Sequence, residues 1–212
     1  MTTLSTMVAL LKKNFGNCCA YLILVIILGI AQFIPPTCRP LYLQDPTIGY
    51  PHALTETVPV WLCVILVVPL AIVLLMVPYK FNMRNRSLYS AVLMFGEVML
   101  FVLALTEMMK PLFGRLRPDF VDRLRLNDVL PPDWDQPQTF RLLQGDAAFC
   151  AVNNMMVQDG RKSFPSGHSS MSFAAMTTVS LVWINVFGAW RPGHAATWKL
   201  WLCLSPMLVA LW

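Results

Sequence analysis

Val58 to Pro78 reads VPVWLCVILVVPLAIVLLMVP, 21 residues without a charged side chain. A helix needs about 20 apolar residues to cross the hydrocarbon core of a bilayer, and this run meets that length. Lipid offers no partner for backbone N–H and C=O groups, so a run of this kind crosses as a helix with its bonds satisfied internally. The whole chain has the same character: 57% of its 212 residues are hydrophobic, 13% are charged, and the mean hydropathy is +0.58. A soluble globular composition is excluded.

Further apolar runs flank this one on both sides. Asn14 to Cys38, between Lys13 and Arg39, is 25 residues without a charge. Its start resembles a secretory signal, but its length and the lack of an A-x-A-like cleavage site predict a retained anchor. A third span is expected from about Tyr89 to Met109, interrupted by Glu97 and Glu107, and a fourth from near His168 to near Trp190. Glu97 lies inside its span, where an ionisable residue is either functional or a protonated acid hydrogen-bonded within the bundle. The last run, LWLCLSPMLVALW, has 13 residues. These reach roughly 20 Å against a core of about 30 Å, part of a fifth span. The expected fold is all-α: a polytopic transmembrane helix bundle of four complete spans plus part of a fifth, with residues 1–212 forming one membrane domain that is incomplete at its C-terminus.

The formal net charge of +5 does not mark a nucleic-acid partner, because the basic residues stand between apolar runs and form no single stripe. Lys12 and Lys13, then Lys80, Arg84 and Arg86, then Arg191 and Lys199 occupy three segments without an acidic residue. The positive-inside rule puts these in the cytoplasm and the mixed-sign loops 36–57 and 110–167 on the lumenal or extracellular face. Asn85 opens an N-R-S glycosylation acceptor on the cytoplasmic side, where it would carry no glycan.

Of the six cysteines, Cys18, Cys19, Cys63 and Cys203 fall in or beside spans as packing residues. Cys38 and Cys150 both fall in outer loops, where an oxidising compartment would allow a disulfide between them. No CxxC, HExxH or carboxylate pair at ligand spacing occurs, so the sequence offers no case for a metal or other cofactor.

The outer loop 110–167 carries the polar chemistry, and its prolines 131, 132 and 137 with Trp134, Phe140 and Phe149 predict a compact lid. It begins with KPLFGRLRPDF, Lys110 to Phe120, and ends with GRKSFPSGHSS, Gly160 to Ser170. A helix through the first stretch would put Lys110 and Arg117 on one face and end at Arg117 before Pro118; Pro111 and Gly114 oppose that helix. Arg161 and Lys162 add two cations at the far end. Singly, such cations read as side chains snorkelling to lipid headgroups, His168 as an interfacial polar residue, Ser166 as a helix cap and Gly167 as a turn. Together they describe a phosphate site. Ser166 and Gly167 open the fourth helix, whose first N–H groups and positive dipole end favour an anion. His168 adds a group that exchanges protons near neutral pH.

These residues resemble the type-2 phosphatidate phosphatase and lipid phosphate phosphatase superfamily: KPLFGRLRP fits its K-x6-R-P signature and PSGH its second. The wider text resembles the branch acting on phosphatidate and diacylglycerol pyrophosphate. The resemblance implies a six-span fold, a lipid phosphate substrate in the bilayer and metal-independent hydrolysis. It implies that Lys110, Arg117, Ser166 and the Gly167 N–H hold the phosphoryl oxygens and that His168 protonates the leaving alcohol. The nucleophile is implied to be a second histidine, in an S-R-x5-H-x3-D signature, that forms a phosphohistidine. That signature does not occur in these 212 residues, and neither His52 nor His194 has its surroundings. The chain as written is therefore expected to be a truncated phosphatase, inactive or nearly so. Two other readings stay open: a noncatalytic binder of anionic lipid headgroups, and a haloperoxidase, which the multiple spans oppose. Lipid preference, compartment and oligomeric state are not legible.

Overall fold

The computed structural model describes residues 15–53, 55, 57–82, 88–130, 142–143, 150, 152, 154–190 and 197–211. In chain order the elements are α1 (Phe15–Phe33), β1 (Leu41–Tyr42), α2 (Val60–Asn82), α3 (Leu88–Phe113), α4 (Phe120–Leu126), β2 (Leu142–Leu143), α5 (Met155–Asp159), α6 (Gly167–Phe187), α7 (Thr197–Leu204) and α8 (Met207–Leu211). Lys12, Lys13, Arg84, Asn85, Arg86, Arg191 and His194, and the lid residues Pro131, Pro132, Trp134, Pro137, Phe140 and Phe149, lie outside the described residues.

Among the described residues four helices, α1, α2, α3 and α6, are long and apolar enough to cross a membrane. They are the four runs read from the sequence, and the architecture is an all-α membrane bundle. The segments group into two compact units: a helical unit of Met1–Gly29, Val58–Leu105 and Gly167–Trp212, and a loop unit of Ile30–Thr57 and Thr106–Ser166.

In the helical unit α2 packs along α6. Cys63, Val67, Ala71 and Leu75 recur every four residues, the row that forms one ridge of a helix, and they are buried with Ala175, Met176, Val179, Val182 and Trp183 of α6. Between helices in lipid, close packing and shared hydrogen bonds hold the contact, and small residues such as Ala71 and Ala175 permit it. One bond has a specific cause. Pro78 has no N–H, so the Leu74 carbonyl four residues back loses its helical donor, and Trp183 Nε1 donates to it instead at 2.9 Å. Elsewhere the Tyr21 hydroxyl of α1 donates to Leu93 O at 2.7 Å, and a Cβ on Gly96 would stand 2.7 Å from the tyrosine oxygen. Glu97 faces a cavity of about 440 Å³ with Ala20, Ile23, Leu24, Met94, Val98 and Phe101.

Two helix ends differ from the sequence expectation. α6 stops at Phe187, short of Trp190, because Gly188 takes a left-handed φ of 62° and Ala189 N–H turns back to Ile184 O at 3.0 Å. The last apolar run is broken in two by Ser205 and Pro206, since a proline cannot donate to the preceding turn.

The loop unit has its own core of Leu41, Leu43, Ile48, Phe120, Val121, Leu124 and Val157, with Cys38 and Cys150 packed against it. Those two cysteines form a disulfide, Cα to Cα 5.7 Å, across 112 residues of sequence. The bridge ties loop 36–57 to loop 110–167, and β1 pairs antiparallel with β2 across the same two loops.

Candidate functional site

The first signature starts on the last turn of α3. Lys110 is one residue before Pro111, yet the helix runs two residues past that proline and ends at Phe113. Gly114 then takes φ 54°, and its N–H closes on Lys110 O at 3.0 Å. The shared-face expectation for Lys110 and Arg117 is thus corrected: the helix ends four residues before Arg117, which stands on the irregular stretch beyond. Thr37 satisfies the orphan carbonyls of this helix end, its N–H on Pro111 O at 2.8 Å and its hydroxyl on Leu112 O at 3.2 Å. A Cβ on Gly114 would lie 2.2 Å from Thr37 O. The turn therefore excludes any side chain twice, by its φ and by this contact.

Beyond the turn, two backbone bonds lay one end of the outer loop along the other. Ser163 N–H donates to Arg115 O at 3.0 Å and Arg117 N–H to Gly160 O at 2.8 Å. Phe164, before the cis bond to Pro165, meets Phe113 edge-on at 5.1 Å, and the Arg115 guanidinium lies 5.9 Å from its ring centre. The stretch 115–117 and the stretch 160–164 are thus neighbours within the loop unit.

Two of the candidate cations, Lys110 and Arg117, meet an acid in the loop unit. Lys110 pairs with Glu107 one turn back, and both are largely buried. Arg117 Nη2 donates to Asp159 Oδ1 at 3.0 Å, while its Nε is buried without an acceptor among the described residues. Arg161 is 2% exposed, with its guanidinium 5.8 Å from the Phe120 ring centre and Nη1 on Cys150 O at 3.4 Å. Burial lowers its pKa from the ordinary arginine value. It is a structural cation of the loop core.

Ser166 is exposed at the end of the loop unit, and the next residue, Gly167, opens α6 in the helical unit. His168 is in the first turn of α6, and its Nε2 lies 2.9 Å from Val58 O. A carbonyl oxygen only accepts, so Nε2 carries the proton and Nδ1 is the nitrogen free to gain or pass another.

Sequence reasoning missed a charge network in the loop unit. His52 Nδ1 bonds Asp119 Oδ2, and its backbone N–H reaches Asp122 Oδ2 at 2.8 Å. Asp119 Oδ2 also accepts from Arg123 Nε at 3.0 Å, and Arg123 Nη1 reaches Asp159 Oδ2 at 3.1 Å and Met156 O at 3.0 Å. Burial pushes the Asp119 carboxyl up, but the bonds from Arg123 and His52 outweigh it and hold the group below its ordinary value. Four residues separate Asp119 from Arg123, the spacing that pairs charges on a helix, so this part was open to detection. His52 and Asp159 come from 67 and 40 positions away from Asp119, and no local pattern announces them.

Comparison with known proteins gives the chain its relatives. The family model described as the PAP2 superfamily matches residues 91–212. The chain is 31% identical to a probable diacylglycerol pyrophosphate phosphatase 1 of Schizosaccharomyces pombe, covering 94% of this chain and 71% of that protein. It is 31% identical to a probable lipid phosphate phosphatase 4 of Arabidopsis thaliana, with 91% and 60% covered, and 31% to a diacylglycerol pyrophosphate phosphatase 1 of Saccharomyces cerevisiae, with 73% and 53% covered. The chain thus spans between about half and about seven tenths of these relatives' lengths. No solved structure matches it.

Proposed function

Since the chain belongs to the PAP2 superfamily, we propose that it is the phosphate-gripping part of an integral membrane lipid phosphatase. Its substrate is phosphatidate or a related lipid phosphomonoester in the bilayer. Lys110 and Arg117 hold the phosphoryl oxygens, joined by Ser166 and by the Gly167 N–H at the start of α6. The support is the order of the two signatures together with the two backbone bonds, Arg117 to Gly160 and Ser163 to Arg115, that keep both ends of the outer loop side by side.

In the reaction the bond between phosphorus and the diacylglycerol oxygen breaks while a histidine nitrogen takes the phosphoryl group. His168 gives its proton to the departing oxygen, and Nδ1 is the atom suited to that transfer because Nε2–H is engaged on Val58 O. Water then attacks the phosphohistidine and releases phosphate. The nucleophile belongs to the S-R-x5-H-x3-D signature, which does not occur in these 212 residues. A cation clamp and an acid lower the barrier, but phosphoryl transfer to an enzyme needs its nucleophile. A polypeptide of these 212 residues is therefore expected to bind phosphatidate without releasing phosphate. Binding without turnover is also what a noncatalytic headgroup receptor would do, and that is the second reading. The site faces the lumen or the cell exterior, a reading supported by Lys80 at the end of α2 and by a disulfide in the loop unit, which suits an oxidising compartment.

The test titrates the chain in detergent micelles with short-chain phosphatidate and with phosphatidylcholine. The chain binds the former; Lys110→Ala and Arg117→Ala each weaken it about tenfold, the worth of one charge-assisted bond, and His168→Ala binds nearly as the parent. Parent affinity in both cation variants would remove the clamp.

A further inference from the structure

We infer that Asp159 is a positioning residue for Arg117, held in place by the buried guanidinium of Arg123; the inference rests on the clamp proposed above. Among the described residues the side chain of Arg117 has one partner, Asp159. Its backbone N–H bonds the very next residue, Gly160, at 2.8 Å. Main chain and side chain of Arg117 are thus both fixed from one dipeptide at the end of α5.

That dipeptide is itself anchored from beneath. The Arg123 side chain is 7% exposed. It reaches Asp159 Oδ2, Met156 O and Asp119 Oδ2, so two carboxylates and a carbonyl balance a largely buried cation. Gly160 makes room for it: a Cβ there would stand 2.7 Å from the Phe120 ring and 3.0 Å from Arg123 Cδ. Asp159 therefore uses one oxygen on each of two guanidiniums.

This sharing decides its role. A carboxylate facing Arg117 alone would neutralise it and compete with a phosphate. Here a buried cation draws on the same charge, and Asp159 grips Arg117 by Nη2 while Nε is buried. Nη1 is left as the donor for a ligand oxygen. The guanidinium plane is set before the ligand arrives, which saves the ordering cost of a long side chain.

A double-mutant cycle tests this with the 212-residue chain in micelles and short-chain phosphatidate as the probe. Asp159→Ala is expected to weaken affinity about fivefold, Arg117→Ala about tenfold, and the double variant no more than Arg117→Ala alone, because residues acting through one contact are not additive. Losses that multiply would mean separate structural damage and overturn the inference, as would parent affinity in Asp159→Ala while Arg117→Ala is weak. Where Asp159→Ala lowers the yield of disulfide-bonded, monodisperse chain, Asp159→Asn keeps the shape and carries the same cycle with the same expectation. Parent affinity in Arg117→Ala itself would instead sink the clamp, and this inference with it.

Discussion

Gly114 is the residue on which the first signature turns. Its φ of 54° and the 2.2 Å from a virtual Cβ to Thr37 O mean that alanine there must either unwind the turn or push Thr37 off the helix end it caps. The expected cost for Gly114→Ala is at least about 2 kcal/mol, from left-handed strain and lost capping together. Thermal unfolding of the detergent-purified chain measures it, and a variant as stable as the parent would show that the turn relaxes freely. The glycine was legible as an obstacle to a helix reaching Arg117. That the helix would run past Pro111 and end at Phe113 was not, because Thr37 comes from 77 positions away from the glycine and supplies the bonds.

At the scale of elements, α4 is seven residues long and too short to hold itself. It is held by its apolar residues Phe120, Val121 and Leu124 in the loop core and by the charge pairs of Asp119 and Arg123. Because the folded Asp119 carboxyl lies below its ordinary value of 3.8, its stabilisation is present above that value and is lost as pH falls through the folded one. Protease resistance of the chain should therefore fall on acidification below about pH 4, and Asp119→Asn, weaker at neutral pH, should show a shallower fall. An equally steep fall in the variant would put the acid sensitivity elsewhere. The long helices were readable because length without charge is a strong local signal. α4 and α5 were not, since their stability comes from partners brought by the two loops.

At the scale of the whole molecule, the basic segments predict cytoplasmic ends for α2 and α3, so Asn85 should stay unglycosylated when the chain is made in a eukaryotic membrane. A glycosidase-sensitive mobility shift abolished by Asn85→Gln would invert the topology. Charge and span count put both outer loops on one face, and the structure joins them in one disulfide-bonded unit. The acids that pair with Lys110 and Arg117 were not legible, because which acid meets which cation is set by packing. The central claim is that side chains from both signatures meet one phosphate, and 31P–15N dipolar dephasing on bound short-chain phosphatidate measures it directly in a chain labelled at lysine, arginine and histidine nitrogens. Phosphorus is expected to lose signal to Lys110, Arg117 and His168, each contribution vanishing with its own substitution. Dephasing by neither cation, or by residues outside the two signatures, would contradict it.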